Sequence, residues 1–173
     1  MLKLVLCEFS KLKRKKFILL VILSAFLFPV PLTILMTTPQ MTERFDSDAE
    51  IFNACFQFCM GYGVELLLPC VIGIIAAMLF FMERDNDTFK NLRTIPVTST
   101  QMIFAKVIVL FAMGVIFSLS SALAAVLCGS LVSEVNGIAY KLLVALEMGF
   151  FVTAGTLPLI VLVVFFSKTY IFS

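Results

Sequence analysis

The sequence predicts an all-α protein, a polytopic bundle of transmembrane helices. Of its 173 residues, 61% are hydrophobic and 14% are charged, and the mean hydropathy is +1.10. Soluble domains usually contain about 45–50% apolar and about 25% charged residues. A core of this chain length cannot bury so much apolar surface, so a bilayer must cover the remainder.

Four segments are apolar and long enough to cross a bilayer core, which requires about 20 helical residues. They are predicted at about residues 17–36, 60–82, 102–132 and 138–166. Together they place a transmembrane domain over residues 17–173. The first segment follows a basic stretch, as a signal peptide does, but it has no small-residue cleavage site, which indicates a retained span. Because the chain ends abruptly at Ser173, we expect the natural protein to continue with two further spans.

The distribution of basic residues predicts the orientation of the spans. Eleven lysines and arginines lie in the N-terminal arm, in the second loop and its edges and after the fourth span, whereas Arg44 and Lys141 lie on the other side. Cytoplasmic loops carry the excess of basic residues. Both termini and the loop at residues 83–101 are therefore expected in the cytoplasm.

Residues 1–16 combine a basic arm with a row of apolar residues at helical spacing. The apolar residues are Leu2, Val5, Leu6, Phe9 and Leu12. This pattern is typical of an amphipathic helix that lies on the inner leaflet and turns into the first span, in contact with membrane lipid. The alternative is a plain basic anchor that only determines topology.

The third span carries a stripe of small residues. They are Gly114, Ser118, Ala122, Ala125 and Gly129. At 100° per residue they fall within an arc of about 80°. Small residues allow helix backbones to approach closely in lipid. The stripe therefore predicts packing against another span or another subunit, although small residues are also simply common in spans.

Two glutamates lie within apolar segments. Glu65 and Glu147 stand about 26 and 28 Å above the cytoplasmic ends of their predicted spans, at 1.5 Å per residue. Both are therefore expected near the outer boundary of the bilayer, where a carboxylate costs less than at the midplane. They are candidates for the outer mouth of a translocation path, and interfacial solvation is the alternative.

The loop between the second and third spans predicts a short helix that projects into the cytoplasm. Asp85 or Asp87 can cap this helix, and Phe89 and Leu92 would then share one of its faces. An apolar pair exposed on the inner face suggests a docking surface. The alternative is that the pair dips back into the bilayer interface.

Several classes of function find no support in the residues. The chain has no histidine and its five cysteines are scattered, so no metal centre or redox motif is visible. No phosphate-binding GxxxxGK[ST] loop is present, and we expect no cofactor. The formal charge of +2 is too small to indicate nucleic acid as a partner. A membrane enzyme is therefore the class with the least support.

The cytoplasmic loop and the N-terminal arm resemble those of one transporter family. The loop follows the pattern E-x4-T-x-K-N-L-x3-P-V and is followed by a lysine, and the matching residues are Glu83, Thr88, Lys90, Asn91, Leu92, Pro96, Val97 and Lys106. The arm contributes Glu8 and the basic stretch from Lys11 to Arg14. Both resemble the ABC type-2 permeases, most nearly the bacitracin-export and lantibiotic-immunity permeases.

The resemblance implies a transmembrane subunit of an ATP-driven exporter in the bacterial cytoplasmic membrane. Such subunits usually have six spans, form dimers with themselves or a sister permease, and leave ATP hydrolysis to a separate ABC ATPase. The 83–101 loop would couple to this ATPase through Glu83, Asp87, Thr88, Phe89, Lys90, Leu92 and Pro96. The exported compound would be a peptide antibiotic, a lipid or another amphiphile.

Two further interpretations come from other classes of protein. One is a small membrane scaffold or regulator with no transport activity. The other is half of an ion-coupled transporter, which would require ionisable residues near the bilayer midplane. The expected outer positions of Glu65 and Glu147 argue against the second.

Overall fold

The structure is a computed structural model that describes residues 2–14, 16–45, 47–85, 99–130 and 135–169. Every regular element in these ranges is helical, which confirms the predicted all-α class. Four helical stretches are long and apolar enough to cross a membrane. They are Phe17–Met36, Ala49–Phe80, Thr100–Gly129 and Ile138–Val161.

The N-terminal helix α1 covers Leu2–Arg14 and packs against the helices that follow it. Its buried residues are Glu8 and Leu12, whereas Leu2 and Leu6 are exposed. Lys16 has a left-handed φ of 57° and separates α1 from the first span.

The first span is interrupted. It consists of α2, Phe17–Ala25, and α3, Pro29–Met36. Between them, Phe26 and Leu27 donate to carbonyls only three residues earlier, at 3.2 Å each. Pro29 lacks the N–H that would continue the α-helical ladder, and proline is favoured as a first helical residue. The sequence pattern predicts a kink from this proline, and the helix breaks just before it.

The second span begins earlier than the sequence predicts. After a single turn, α4 (Pro39–Thr42), the chain forms α5, Asp48–Phe58, and a π-helical segment, Cys59–Val64. The helix α6, Glu65–Asp85, follows without a break. The predicted start near Met60 is therefore too late. Ser47 caps the helix by accepting the Glu50 N–H at 3.4 Å. The first turns of this amphipathic helix contain polar residues, and for that reason the sequence pattern indicates a loop there.

The third and fourth spans are long helices joined by a short connection. The third, α7, covers Ser99–Gly129, and so it ends before the predicted boundary at residue 132. The fourth, α8, covers Ile138–Thr169 and starts directly after Gly137, which has a φ of +69°. Glycine adopts this left-handed conformation without a Cβ clash.

The helix α7 is the centre of the bundle. It packs against α1, α2, α3, α5, the π-helical segment, α6 and α8. The window of the first span is only 17% buried, against 44% for the second and third spans. The first span therefore lies at the edge of the bundle, and its Leu23, Leu27 and Ile34 side chains are exposed on the outer surface of the bundle.

Candidate functional site

The loop at residues 83–101, which is predicted to be cytoplasmic, connects α6 and α7. Just inside the ends of these helices, Lys106 of α7 donates from its Nζ to the Leu79 carbonyl of α6 at 2.6 Å. The same ammonium lies 4.8 Å from the centroid of the Phe80 ring, and the lysine is only 4% exposed. A charge-assisted hydrogen bond and a cation–π contact thus join the two helices at the base of the loop.

Most of the predicted coupling residues lie outside the described residues. Among them only Glu83 belongs to a described helix, α6. The others are Asp87, Thr88, Phe89, Lys90, Leu92 and Pro96. Their contact with an ATPase stays a prediction.

The N-terminal helix contacts the same central helix. Glu8 of α1 is 5% exposed and forms an ion pair of 2.5 Å with Lys11 in the next turn. Because α1 packs against α7, the N-terminal arm and the 83–101 loop are both linked to one shared helix.

The small-residue stripe of α7 lies against other helices of the same chain. A Cβ at Gly114 would collide with the Thr153 hydroxyl of α8, and one at Gly129 would collide with the Phe52 ring of α5. Ser118 donates from its Oγ to the Ala145 carbonyl at 2.5 Å. The remaining members of the stripe, Ala122 and Ala125, are buried. The sequence left open whether the stripe meets another span or another subunit, and these contacts are with spans of the same chain.

A second buried lysine lies at the opposite end of the bundle. Lys141 of α8 donates to the Asn53 Oδ1 at 2.8 Å and to the Asn136 carbonyl at 2.7 Å. Its ammonium also lies 4.5 Å from the centroid of the Phe52 ring. The sequence analysis used both lysines as topology charges, and Lys106 also as part of the family motif, but it assigned neither of them a contact between helices. Their position inside apolar segments was the signal that each one anchors a helix end.

The structure places Glu65 inside a longer helical stretch than the sequence predicts. Glu65 stands about 21 Å from Leu79 at one end of the bundle and about 18 Å from Asn53 at the other, at 1.5 Å per residue. The expected position near the outer boundary was counted from the predicted cytoplasmic end at Met82, about 26 Å away, and it stays a prediction. Because the helix starts at Asp48, Glu65 lies at the middle of the apolar stretch Ala49–Phe80.

The two glutamates do not form a common site within one chain. Both are exposed. Glu147 is about 180° around α8 from Thr156, which faces α6. Glu65 and Glu147 therefore lie on different sides of the bundle within one chain, and their place at an outer mouth stays a prediction.

Comparison with known proteins identifies the family. A family model described as ABC-2 family transporter protein matches residues 4–173. The chain belongs to the ABC-2 transporter family. No curated protein and no solved structure matches it. As a member of this family, it is a multi-pass membrane protein and a permease component of an ABC transporter. The family also implies an ABC ATPase as a partner and assembly as a dimer.

Proposed function

We propose that this ABC-2 permease exports peptide antibiotics or similar amphiphiles from the bacterial cytoplasmic membrane, in the manner of bacitracin-export and lantibiotic-immunity permeases. ATP is hydrolysed on a separate ATPase, and the 83–101 loop transmits the motion. Both termini and this loop face the cytoplasm, and the permease pairs with itself or with a sister subunit. The proposal draws on the loop motif around Glu83–Val97 and on the family match.

The contact between Lys106 and Leu79 carries the mechanical part of the proposal. A force applied to a loop moves the bundle only if the helices that hold the loop move together. The hydrogen bond of 2.6 Å between the Lys106 Nζ and the Leu79 carbonyl joins α6 and α7 close to where the loop leaves them. Since α7 contacts every other span, its displacement reaches the whole bundle.

The test removes the apolar pair of the loop. An apolar anchor at the centre of a protein contact contributes about 2 kcal/mol. Phe89→Ala combined with Leu92→Ala should therefore weaken ATPase co-purification about 30-fold, at about 1.4 kcal/mol per tenfold. Membrane insertion should be retained, because it depends on the spans.

The matched control is a second pair of alanine substitutions, at two leucines of α7 that are exposed on the outside of the bundle. Leu123→Ala with Leu127→Ala removes two exposed leucines of α7, which are 50% and 59% exposed. This variant should bind the ATPase as the wild type does. Unchanged ATPase binding and export in the Phe89/Leu92 variant would contradict the coupling role and favour a loop that dips into the bilayer.

A small non-transporting scaffold or regulator is the alternative function. It predicts that the protein persists in the membrane without an ATPase and that its deletion leaves export unchanged. Export assays on cells with and without the gene separate the two functions.

A further inference from the structure

We propose that a lateral groove between α6 and α8 binds a cationic, single-chain amphiphile, with its ammonium group at Glu65 and its alkyl chain in the apolar cavity below. This inference rests on the proposed export function and specifies the class of compound that the permease takes. Four features of α6 and its surroundings support it.

The first feature is an unpaired carboxylate at the middle of an apolar helix. The exposed Glu65 side chain has no hydrogen-bond or ion-pair partner in the part of the chain that the structure describes. An ionisable residue within a membrane span is rare and usually has a partner or a function. A cation bound beside Glu65 would supply such a partner.

The second feature is the local backbone. The π-helical segment Cys59–Val64 ends at Glu65, and such segments occur frequently at functional sites. Four residues later, Pro69 has no N–H to donate to the Glu65 carbonyl. Glu65 therefore offers a carboxylate and, beside it, a backbone carbonyl without its usual α-helical donor. Both groups attract an ammonium ion.

The third feature is a cavity of about 80 Å³ between α6 and α8, beginning at Pro69. Its walls include Gly73 of α6 and Leu159 and Ile160 of α8. Its one hydroxyl among the described residues, that of Thr156, donates to the Thr153 carbonyl at 2.7 Å. An apolar cavity of about 150 Å³ holds a benzene molecule, so the present one accommodates a short part of an alkyl chain.

Glu65 and the cavity lie on the same side of α6. At 100° per residue, Glu65 is within about 40° of Pro69 and about 80° of Gly73 around the helix axis. It precedes Gly73 by about 12 Å along the axis. An amphiphile with its head at Glu65 and its chain beside Gly73 would lie along α6, with its head toward the end of the bundle that holds Asn53 and Lys141.

The fourth feature is an aromatic pair in the helical turns that precede Glu65. The rings of Phe58 and Tyr62 stack with a centroid separation of 5.6 Å, and the residues are 44% and 59% exposed. Aromatic faces attract ammonium groups. The groove therefore combines a carboxylate, exposed aromatic rings and an apolar cavity, which together select a positive charge attached to an alkyl chain.

The experiment measures binding of radiolabelled decyltrimethylammonium to the purified protein in nanodiscs of zwitterionic lipid, with empty nanodiscs as background. We expect saturable binding to the wild type and none for tetramethylammonium, which lacks the chain. Decyl sulfate has the same chain and the opposite charge. Its binding to nanodiscs that contain the protein should not exceed its binding to empty nanodiscs.

Two substitutions test the two halves of the groove. Glu65→Gln removes the charge and should weaken binding at least about tenfold, or about 1.4 kcal/mol. Gly73→Leu should weaken binding to the same degree by filling the cavity. A Cβ at Gly73 meets no atom within 4 Å, so the protein should still fold, which circular dichroism and gel filtration verify.

Matched controls exist for both substitutions. Glu147→Gln removes another exposed carboxylate within the spans, and Gly155→Leu enlarges a glycine whose Cβ also meets no atom within 4 Å. Gly155 is not part of the cavity wall. Both controls should bind decyltrimethylammonium as the wild type does.

Wild-type affinity in Glu65→Gln, equal binding of decyl sulfate, or equal loss in the control variants would each overturn the proposal. The assay contains no ATPase, so failure of the groove leaves the coupling role of the 83–101 loop untouched. Conversely, a loss of ATPase coupling in the Phe89/Leu92 variant would not change this binding result.

Discussion

Single residues decide how closely α7 and α8 approach. Gly114 faces the Thr153 side chain so directly that even one added methyl group collides with it. Thr153 cannot swing away freely, because it is fully buried and its hydroxyl donates to the Gly149 carbonyl at 2.6 Å. The two helices can therefore approach this closely because Gly114 has no side chain.

We predict that Gly114→Val destabilises the bundle by about 1–3 kcal/mol, the usual cost of adding methyl groups to a packed interior. Gly155→Val on α8 is the matched control, because its Cβ points into open space. Unfolding in mixed micelles with increasing dodecyl sulfate would measure the difference. Equal stability of the two variants would show that α7 and α8 can separate without cost.

At the scale of elements, the buried ammonium of Lys106 joins α6 and α7, the two helices that the 83–101 loop connects. Lys106→Met keeps the volume and the apolar stem but removes the hydrogen bond to Leu79. Hydrogen bonds to charged groups contribute about 1.5–3 kcal/mol. We therefore predict lower stability by about this amount and, in the complete transporter, reduced export at unchanged ATPase co-purification.

This combination of results would separate transmission of force from docking of the partner. Lys3→Met is the control, because Lys3 is an exposed residue of α1. It should change neither stability nor export. Wild-type export in Lys106→Met would show that α6 and α7 transmit the motion without this contact.

At the scale of the whole molecule, the charge distribution predicts which end of the bundle faces the cytoplasm. Cys7 is exposed on α1, and Glu43 is exposed in the connection between the first two spans. In a chain that retains only Cys7, an impermeant thiol reagent should label the protein only after the cells are permeabilised. In a chain with Glu43→Cys as its only cysteine, intact cells should be labelled.

Cysteines introduced at residues 84–98 should behave like Cys7, since this loop is predicted on the same side. Labelling of these positions from outside would reverse the orientation of the bundle. It would also remove the basis for coupling through the 83–101 loop, because ATPases of this class act in the cytoplasm.

The fold class, the four spans and the family could all be predicted from the amino-acid sequence alone. These follow from long apolar segments, and from the loop motif whose resemblance the family match supports at the level of ABC-2 transporters. The kink of the first span was also predictable, because Pro29 cannot continue a hydrogen-bonded helix whatever surrounds it. Such properties depend on the local chemistry of each segment and on whether water or lipid surrounds it.

The contacts of the polar residues in the spans could not be predicted, because they depend on how the helices pack against one another. The start of the second span at Asp48 depends on Ile51, Phe52 and Phe56 being buried by other helices, and this start places Glu65 at the centre of its helix. Likewise, Lys106 and Lys141 become anchors only because distant carbonyl groups meet them, 27 and 88 residues away for Leu79 and Asn53. Contacts of this kind arise from helix packing. The periodicity of one segment does not indicate which residues of another segment it will meet.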